Sequence, residues 1–412
     1  MDEEQARRIG ERLRSARRQR GMSLRNLAGL AGVSVGHLSM VENGQRLLDR
    51  SSHIIALAEA LHIAPSELTG QPFAPVDPHA TAAHEAIPAL RLALMGFAMN
   101  ASPDRRPPEV PTSVLAERVQ KANRLYHAAE YGTLAAGLPA LLADLHLAAE
   151  AADGLARHEL LKLLADAYHP ACTLLLKNLG YTDLAFIAVT RASEVIAELD
   201  DPVYSALSGF FHTHVLMSAG SPTQALAQAA AAANTLQAHL ASPGAPALLG
   251  ELHLISATSL TQDRQWAGNT RAEEVRGHLA EAANLAGRTG ETRAWHLNFG
   301  PTNVGIHQVS LNTDLGLHGE AVTAGDGVHP EALEAPGRQA AFHADLGRSL
   351  APLRGREAEA VAALLTAEQI APQRIHANAP VRNTVEILTD RQLPAHAARD
   401  LRGLAHRIGL PL

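Results

Sequence analysis

The sequence predicts an all-α protein: a small basic head of five helices followed by a long solenoid of paired helices. Three observations lead there. Aromatic residues make up 3% of the chain while Ala and Leu dominate, which favours helices over strands. The first 70 residues divide into five short amphipathic stretches, each with its own start and stop signals. From about residue 113 onward, longer helical stretches alternate with short turns.

Helix by helix, the head reads as follows. Ile9, Leu13 and Ala16 share one face of the first helix, with arginines over the rest. Ser23 is placed to cap the second, whose apolar stripe is Leu24, Leu27, Ala28 and Ala31. Gly32 and Val33 make a tight corner, and Ser34 caps a third helix that buries Leu38 and Val41 and stops at Asn43-Gly44. Ser51 or Ser52 starts the fourth, with Ile54, Leu57, Ala58 and Leu61 inward. Pro65 opens a brief fifth through Leu68. Residues 71–112 read as a linker with one helix, Pro88 to Phe97, between clusters of prolines: Pro72, Pro75 and Pro78 before it, Pro103, Pro107, Pro108 and Pro111 after it.

The body, residues 113–412, carries a repeat. Gly is followed five positions later by Ala at Gly180/Ala185, Gly220/Ala225, Gly316/Ala321 and Gly355/Ala360. Three of these add a further Ala, at Ala192, Ala232 and Ala367. Small residues at those places let the two helices of a hairpin approach closely. The pattern resembles the tetratricopeptide repeat, best over 337–372, which implies a curved solenoid whose concave surface binds a peptide or small molecule and whose body pairs two chains.

Composition bounds the function classes. At 412 residues and 46% hydrophobic, the chain supports more than one core. Its net charge of −7 is uneven: residues 1–50 hold ten Arg against six Asp or Glu, a net of +4, leaving −11 for the rest. A basic head on an acidic body fits a chain whose head alone meets phosphate. Cys172 is the single cysteine, so neither an internal disulfide nor a multi-cysteine zinc site is available. The start lacks the apolar core of a signal peptide and no apolar run reads as spanning a membrane, which makes the cytoplasm the expected location. Catalytic motifs (GxSxG, HExxH, a Walker loop, GxGxxG) do not occur, so neither enzyme activity nor a cofactor is expected.

The run from Gly21 to Arg46 resembles the XRE family, the helix-turn-helix class of phage Cro and CI-type repressors. Leu27-Ala28, the Gly32-Val33-Ser34 corner and Leu38-Ser39-Met40-Val41-Glu42-Asn43-Gly44 fall in that family's order. The resemblance covers residues 7–69 and implies a lambda-repressor-like fold that binds double-stranded operator DNA as a homodimer. It places the start of the third helix in the major groove. Val35 and Met40 would then touch thymine methyls, Ser39 a base edge, and Gly36 would let the backbone approach. Ser23 and Ser34 mark helix N-termini that offer N–H groups to phosphates. Arg25 and Arg46 are candidate phosphate partners, while His37 and Asn43 complete the exposed set. Long amide or Arg side chains are absent from positions 35, 36 and 39, so discrimination leans on methyl contacts and DNA shape. Arg17 and Glu42 lie beside buried stripes, where each alone is costly, and are expected to pair.

In the body, Trp295-His-Leu-Asn-Phe-Gly-Pro-Thr-Asn-Val-Gly-Ile-His307 departs from the Ala/Leu pattern, and resembles a segment of actinobacterial regulators of this layout. A helix from Thr302 puts Asn303, His307, Ser310 and Asp314 in one stripe beside Trp295, Asn298 and Phe299. Arg338, Phe342 and Asp345 repeat the spacing later. These ten residues are the candidate effector groove, set against a solvated face with internal hydrogen bonds. His212 and His214, two apart, point to different faces. His169 and Cys172 lack a third ligand, so no metal site is expected. The combined expectation is a dimeric operator-binding regulator whose effector alters solenoid curvature. An adaptor with a DNA-binding head is the alternative.

Overall fold

Local capping explains how the head begins. In the computed structural model, which describes residues 3–46, 48, 51–63, 65–69, 78–96, 110–263, 268–408 and 410, five head helices run α1 (Glu3–Gln19), α2 (Leu24–Ala31), α3 (Val35–Glu42), α4 (Ser51–Leu61) and α5 (Pro65–Thr69). Ser23 Oγ accepts from Asn26 N and Ser34 Oγ from His37 N, both at 3.1 Å. Each hydroxyl thus satisfies one of the N–H groups a helix start leaves unpaired. Gly32 turns the chain at φ 63° between α2 and α3. Leu13, Leu27, Leu38, Leu57 and Leu61 close a core of their own. Gly10 permits that closure: a Cβ there would lie 2.4 Å from the Val41 carbonyl oxygen.

The body comprises α6 (Pro78–Glu85), α7 (Ile87–Gly96), α8 (Thr112–His127), α9 (Tyr131–Ala151), α10 (Gly154–Asp166), α11 (Thr173–Asn178), α12 (Thr182–Leu199), α13 (Pro202–Ser218), α14 (Pro222–Gln237), α15 (Ala245–Gln262), α16 (Gly268–Thr289), α17 (Pro301–Leu315), α18 (His318–Gly325), α19 (Pro336–Leu350), α20 (Glu357–Ile370), α21 (Pro372–His376), α22 (Ala379–Thr389) and α23 (Ala395–Arg407). The repeat pattern sets the hairpins. Gly180, Gly220, Gly316 and Gly355 all take positive φ in the turns, and Ala185, Ala225, Ala321 and Ala360 are fully buried between helices. At Gly209 a Cβ would come within 2.8 Å of the Ala232 Cβ, so α13 and α14 pack closer than larger side chains allow.

Successive hairpins stack through alternate helices. α11, α13, α15, α17 and α19 each touch the next member of that row. The row curves until its ends meet: α8 packs on α19, α6 on α21, and Gly132 N donates to Gln373 Oε1 at 3.1 Å. The head rests on this body through α4 against α15, and Asn383 Nδ2 donates to the Leu48 carbonyl at 3.0 Å.

Two expectations need correction. Residues 78–96 form two helices, α6 and α7, and Ala83, Ile87, Leu90 and Leu94 belong to the main body core. Pro78 opens a helix, as proline does in a first turn. The prolines at 72, 75, 103, 107 and 108 lie outside the described residues. α9, at 21 residues and a mean hydropathy of 1.3, is long and apolar enough to cross a membrane by length and composition. Its Leu134, Leu138, Leu141, Leu142 and Leu145 are buried in the body core, which accounts for its apolarity without a bilayer.

Candidate DNA-reading head and body cavity

Helix α3 turns two faces in opposite directions. Leu38, Val41 and Glu42 are buried, while Val35 and Met40 remain 42% and 37% exposed and Gly36 is open to solvent. Ser34, Asn43, Arg25 and Arg46 are also exposed, as is Ser23, whereas Ser39 is half-buried. His37 departs from this set. Its ring stacks edge-on against His53 of α4 at 5.4 Å, which draws it toward the head's interior. Asn43 Oδ1 accepts from Arg14 Nη2, so its amide is partly committed.

Arg17 and Glu42 form a two-pronged ion pair, Nε to Oε1 at 2.5 Å and Nη2 to Oε2 at 2.8 Å. Arg17 Nη1 also donates to the Met22 carbonyl at 2.7 Å. The pair therefore ties α1, the α1–α2 turn and the end of α3 together. The hydrogen bond to Glu42 holds the Arg17 guanidinium above its ordinary pKa.

Within the body, the inward helices surround a cavity of about 150 Å³ that continues into a chamber of about 430 Å³. Both are walled by Lys177, Asn178, His214, His307, Arg338 and Arg374. Of the sequence-derived candidates, Asn298, Asn303, His307 and Arg338 line the smaller cavity; Ser310 and Asp345 line the larger. Asn303 is a bridge: its Oδ1 accepts from Arg338 Nε and Nη2 at 2.9 and 2.6 Å, and its Nδ2 donates to Glu251 Oε1 at 2.9 Å.

Four candidates lie elsewhere. Phe299 is buried against Gly250, and Phe342 sits in a satellite core with Ile306 and Val309. Trp295 packs edge-on against Tyr204 at 5.1 Å and over Gly244. Asp314 pairs with Arg348 at 3.0 Å. Asp314 and Phe342 do lie on helices α17 and α19, and Trp295 and Phe299 precede α17, but in all four cases a partner distant in sequence claims the side chain. Trp295 and His296 adopt φ of 59° and 53°, a strained left-handed pair. His127 anchors this turn: Nε2 donates to the His296 carbonyl at 2.8 Å and Nδ1 faces Asn298 Nδ2 at 3.2 Å.

Lys177, Glu251 and Arg374 were not singled out from sequence. Two had a signal: Lys177 is one of three lysines in the chain, and Glu251 is a carboxylate within the apolar run of α15. Burial pushes Glu251 up to about 7, against the pull of Arg338 and the Asn303 hydrogen bond. Burial, then Arg374 and Arg338, pull Lys177 down to about 8.

Buried His169 and half-buried His127, His146 and His278 make the fold acid-sensitive. Burial lowers His127 and His146 to about 4, His278 to about 4 and His169 to about 3. Below an ordinary pKa of about 6.5 the unfolded chain takes up protons that these folded sites refuse, so stability falls as pH drops from about 6.5 toward 4. Glu251 acts oppositely between about 7 and 4.5, but it is one group against several. Calorimetry should show a melting temperature at pH 4.5 at least about 5 °C below that at pH 7; equal values would contradict this.

Among the described residues no cluster of three or more His, Cys, Asp or Glu is arranged to hold a metal ion. His169 instead stacks on Phe211 at 4.2 Å, and Cys172 is buried as a free thiol.

Comparison with known proteins bears on the head. The chain is 43% identical over 55 residues to the HTH-type transcriptional repressor RghR of Bacillus subtilis (strain 168), a stretch covering 13% of this chain and 41% of that protein. It thus spans less than half the length of that relative. Among solved structures it is similar to Bacillus thuringiensis PlcR in complex with the peptide PapR7 and DNA. That likeness covers 68% of this chain and 95% of that one, at 12% identity and a TM-score of 0.30, too slight to carry an argument about ligand or partner. Residues 8–69 match the family model of the helix-turn-helix domain, the same span that holds the capped α2–α3 pair.

Proposed function

We propose that the protein is an operator-binding transcription regulator that acts as a dimer and is modulated by an effector in the body cavity. The observation that carries the DNA-binding part is the open outer face of α3, with Val35, Gly36 and Met40 exposed beside Arg25 and Arg46. Two such heads would read half-sites about 34–36 Å apart. Methyl contacts from Val35 and Met40 and a hydroxyl from Ser39 give readout, and the arginines give affinity.

For the effector, the motivating feature is the larger chamber, which is walled by Ile54, Ile55 and Thr69 of the head as well as by body residues. An occupant there touches both units, so differential contact with head and body replaces a change in curvature as the coupling route.

Selection of bound fragments from genomic DNA tests the reading. One palindromic site should be preferred over random duplex by at least about 10³-fold. Val35→Gln with Ser39→Gln should alter the preferred bases. Arg46→Ala should weaken all sequences alike and reduce the salt slope by about 1. Purified protein that ignores every duplex at low ionic strength would end this proposal.

A further inference from the structure

We infer that the body cavity takes an anion: the carboxylate or phosphate of a small molecule, seated among Lys177, Arg338 and Arg374. This rests on reading the cavity as the effector site, and it names the effector's chemistry.

The three cations line both the smaller cavity and the larger chamber, so they stand where the two join. Among the described residues none of them has a carboxylate within ion-pair distance. Arg338 donates only to the Asn303 amide oxygen, Arg374 Nη1 only to the Tyr131 hydroxyl at 3.4 Å, and no hydrogen bond reaches Lys177 Nζ. Other acids nearby are already engaged. Arg348 holds both Asp314 and Asp345, at 3.0 and 2.7 Å, and Glu251 is turned to Asn303. Burial keeps His214 and His307 on the same walls neutral, so they add no charge and remain available as hydrogen-bonding groups.

Half-buried cations whose nearest carboxylates, Glu251 and Asp345, are held by other groups are costly, and a chain normally pairs them directly. Arg348 shows how this protein does so when charge is structural. The Lys177, Arg338 and Arg374 set differs in facing open space. Leu174, Phe210, Ile255 and Leu297 line the same smaller cavity. The site therefore suits an anionic head with an apolar body, as in a free aliphatic acid or the C-terminal end of a short apolar peptide.

Thermal shift of the 412-residue chain gives the test, with sodium chloride at matched ionic strength as the reference. The probes are inorganic phosphate, hexanoate, and a Leu-Leu-Phe tripeptide with a free or an amidated C terminus. At least one anionic probe should raise the melting temperature by about 2 °C or more at saturation. Lys177→Met and Arg374→Met should each abolish that rise, while melting no earlier than wild type without a probe. A response to the free but not the amidated tripeptide assigns the anion to a peptide end. A response to hexanoate or phosphate alone assigns it to a small molecule.

No shift with any probe, or equal shifts in wild type and both variants, overturns the inference. Duplex binding is measured separately on the same preparations. Anion binding through Lys177 in a protein that binds no DNA keeps the site and removes the regulator; DNA binding without an anion response does the reverse.

Discussion

Glu42→Ala is expected to unfold the head and abolish DNA binding while the body stays folded. The carboxylate is 2% exposed and its partner Arg17 12% exposed, so the alanine leaves a guanidinium buried with only the Met22 carbonyl to accept from it. Removing one member of a buried pair costs about 3–5 kcal/mol, a large share of what a domain this small has to lose. The pair also spans three elements, α1, the α1–α2 turn and α3, so its loss frees the reading helix as well as weakening the core. Arg17→Lys should be intermediate, because an ammonium cannot make both prongs. The double variant Arg17→Met/Glu42→Leu should be more stable than either single truncation, since no charge is left unpaired. Hydrogen exchange resolved by segment separates head from body. A Glu42→Ala protein whose head exchanges like wild type would refute the assignment.

This ion pair could be read from sequence because both charges sit at helical spacing from buried leucines, Arg17 from Leu13 and Glu42 from Leu38. Head structure in general was readable for the same reason: Ser23, Gly32, Ser34 and Gly44 act on neighbours within four residues. The Gly/Ala repeat was readable too, since the small residues at Ala185, Ala225, Ala321 and Ala360 recur at fixed distances from their turns. What failed was whatever depends on chain closure. Residues 71–112 read as a linker with one helix, Pro88 to Phe97, because prolines flank it, yet Ile87, Leu90 and Leu94 find their core against α9 and α12, far along the chain. Two of the three cations, Lys177 and Arg374, are of the same kind. Lys177, Arg338 and Arg374 come from three helices, α11, α19 and α21, and meet only once the solenoid has curved round. Spacing along single helices finds Asn303, His307 and Arg338, but not Lys177 or Arg374, which only chain closure brings beside them.

Phe299 is the clearest case, and it yields the second large effect: Gly250→Val should destabilise the body and loosen the cavity together. A Cβ at Gly250 would lie 2.0 Å from Phe299 Cζ and 2.2 Å from Cε2, inside any permissible contact. The ring cannot simply withdraw. It is 1% exposed, and its backbone is tied to Thr292 by a reciprocal pair of hydrogen bonds at 2.8 and 3.1 Å. So α15 must move outward, at a cost of about 1–3 kcal/mol or more for overpacking. Glu251 is the next residue and holds Asn303, which in turn holds Arg338, so the displacement travels to the cavity wall through two hydrogen bonds. Phe299→Ala alone should cost about 3–5 kcal/mol by leaving a void. Combined with Gly250→Val it should cost less than the sum, because the valine occupies part of the space the ring gives up. Strict additivity in urea melts of the four proteins would mean that the ring and the glycine do not meet.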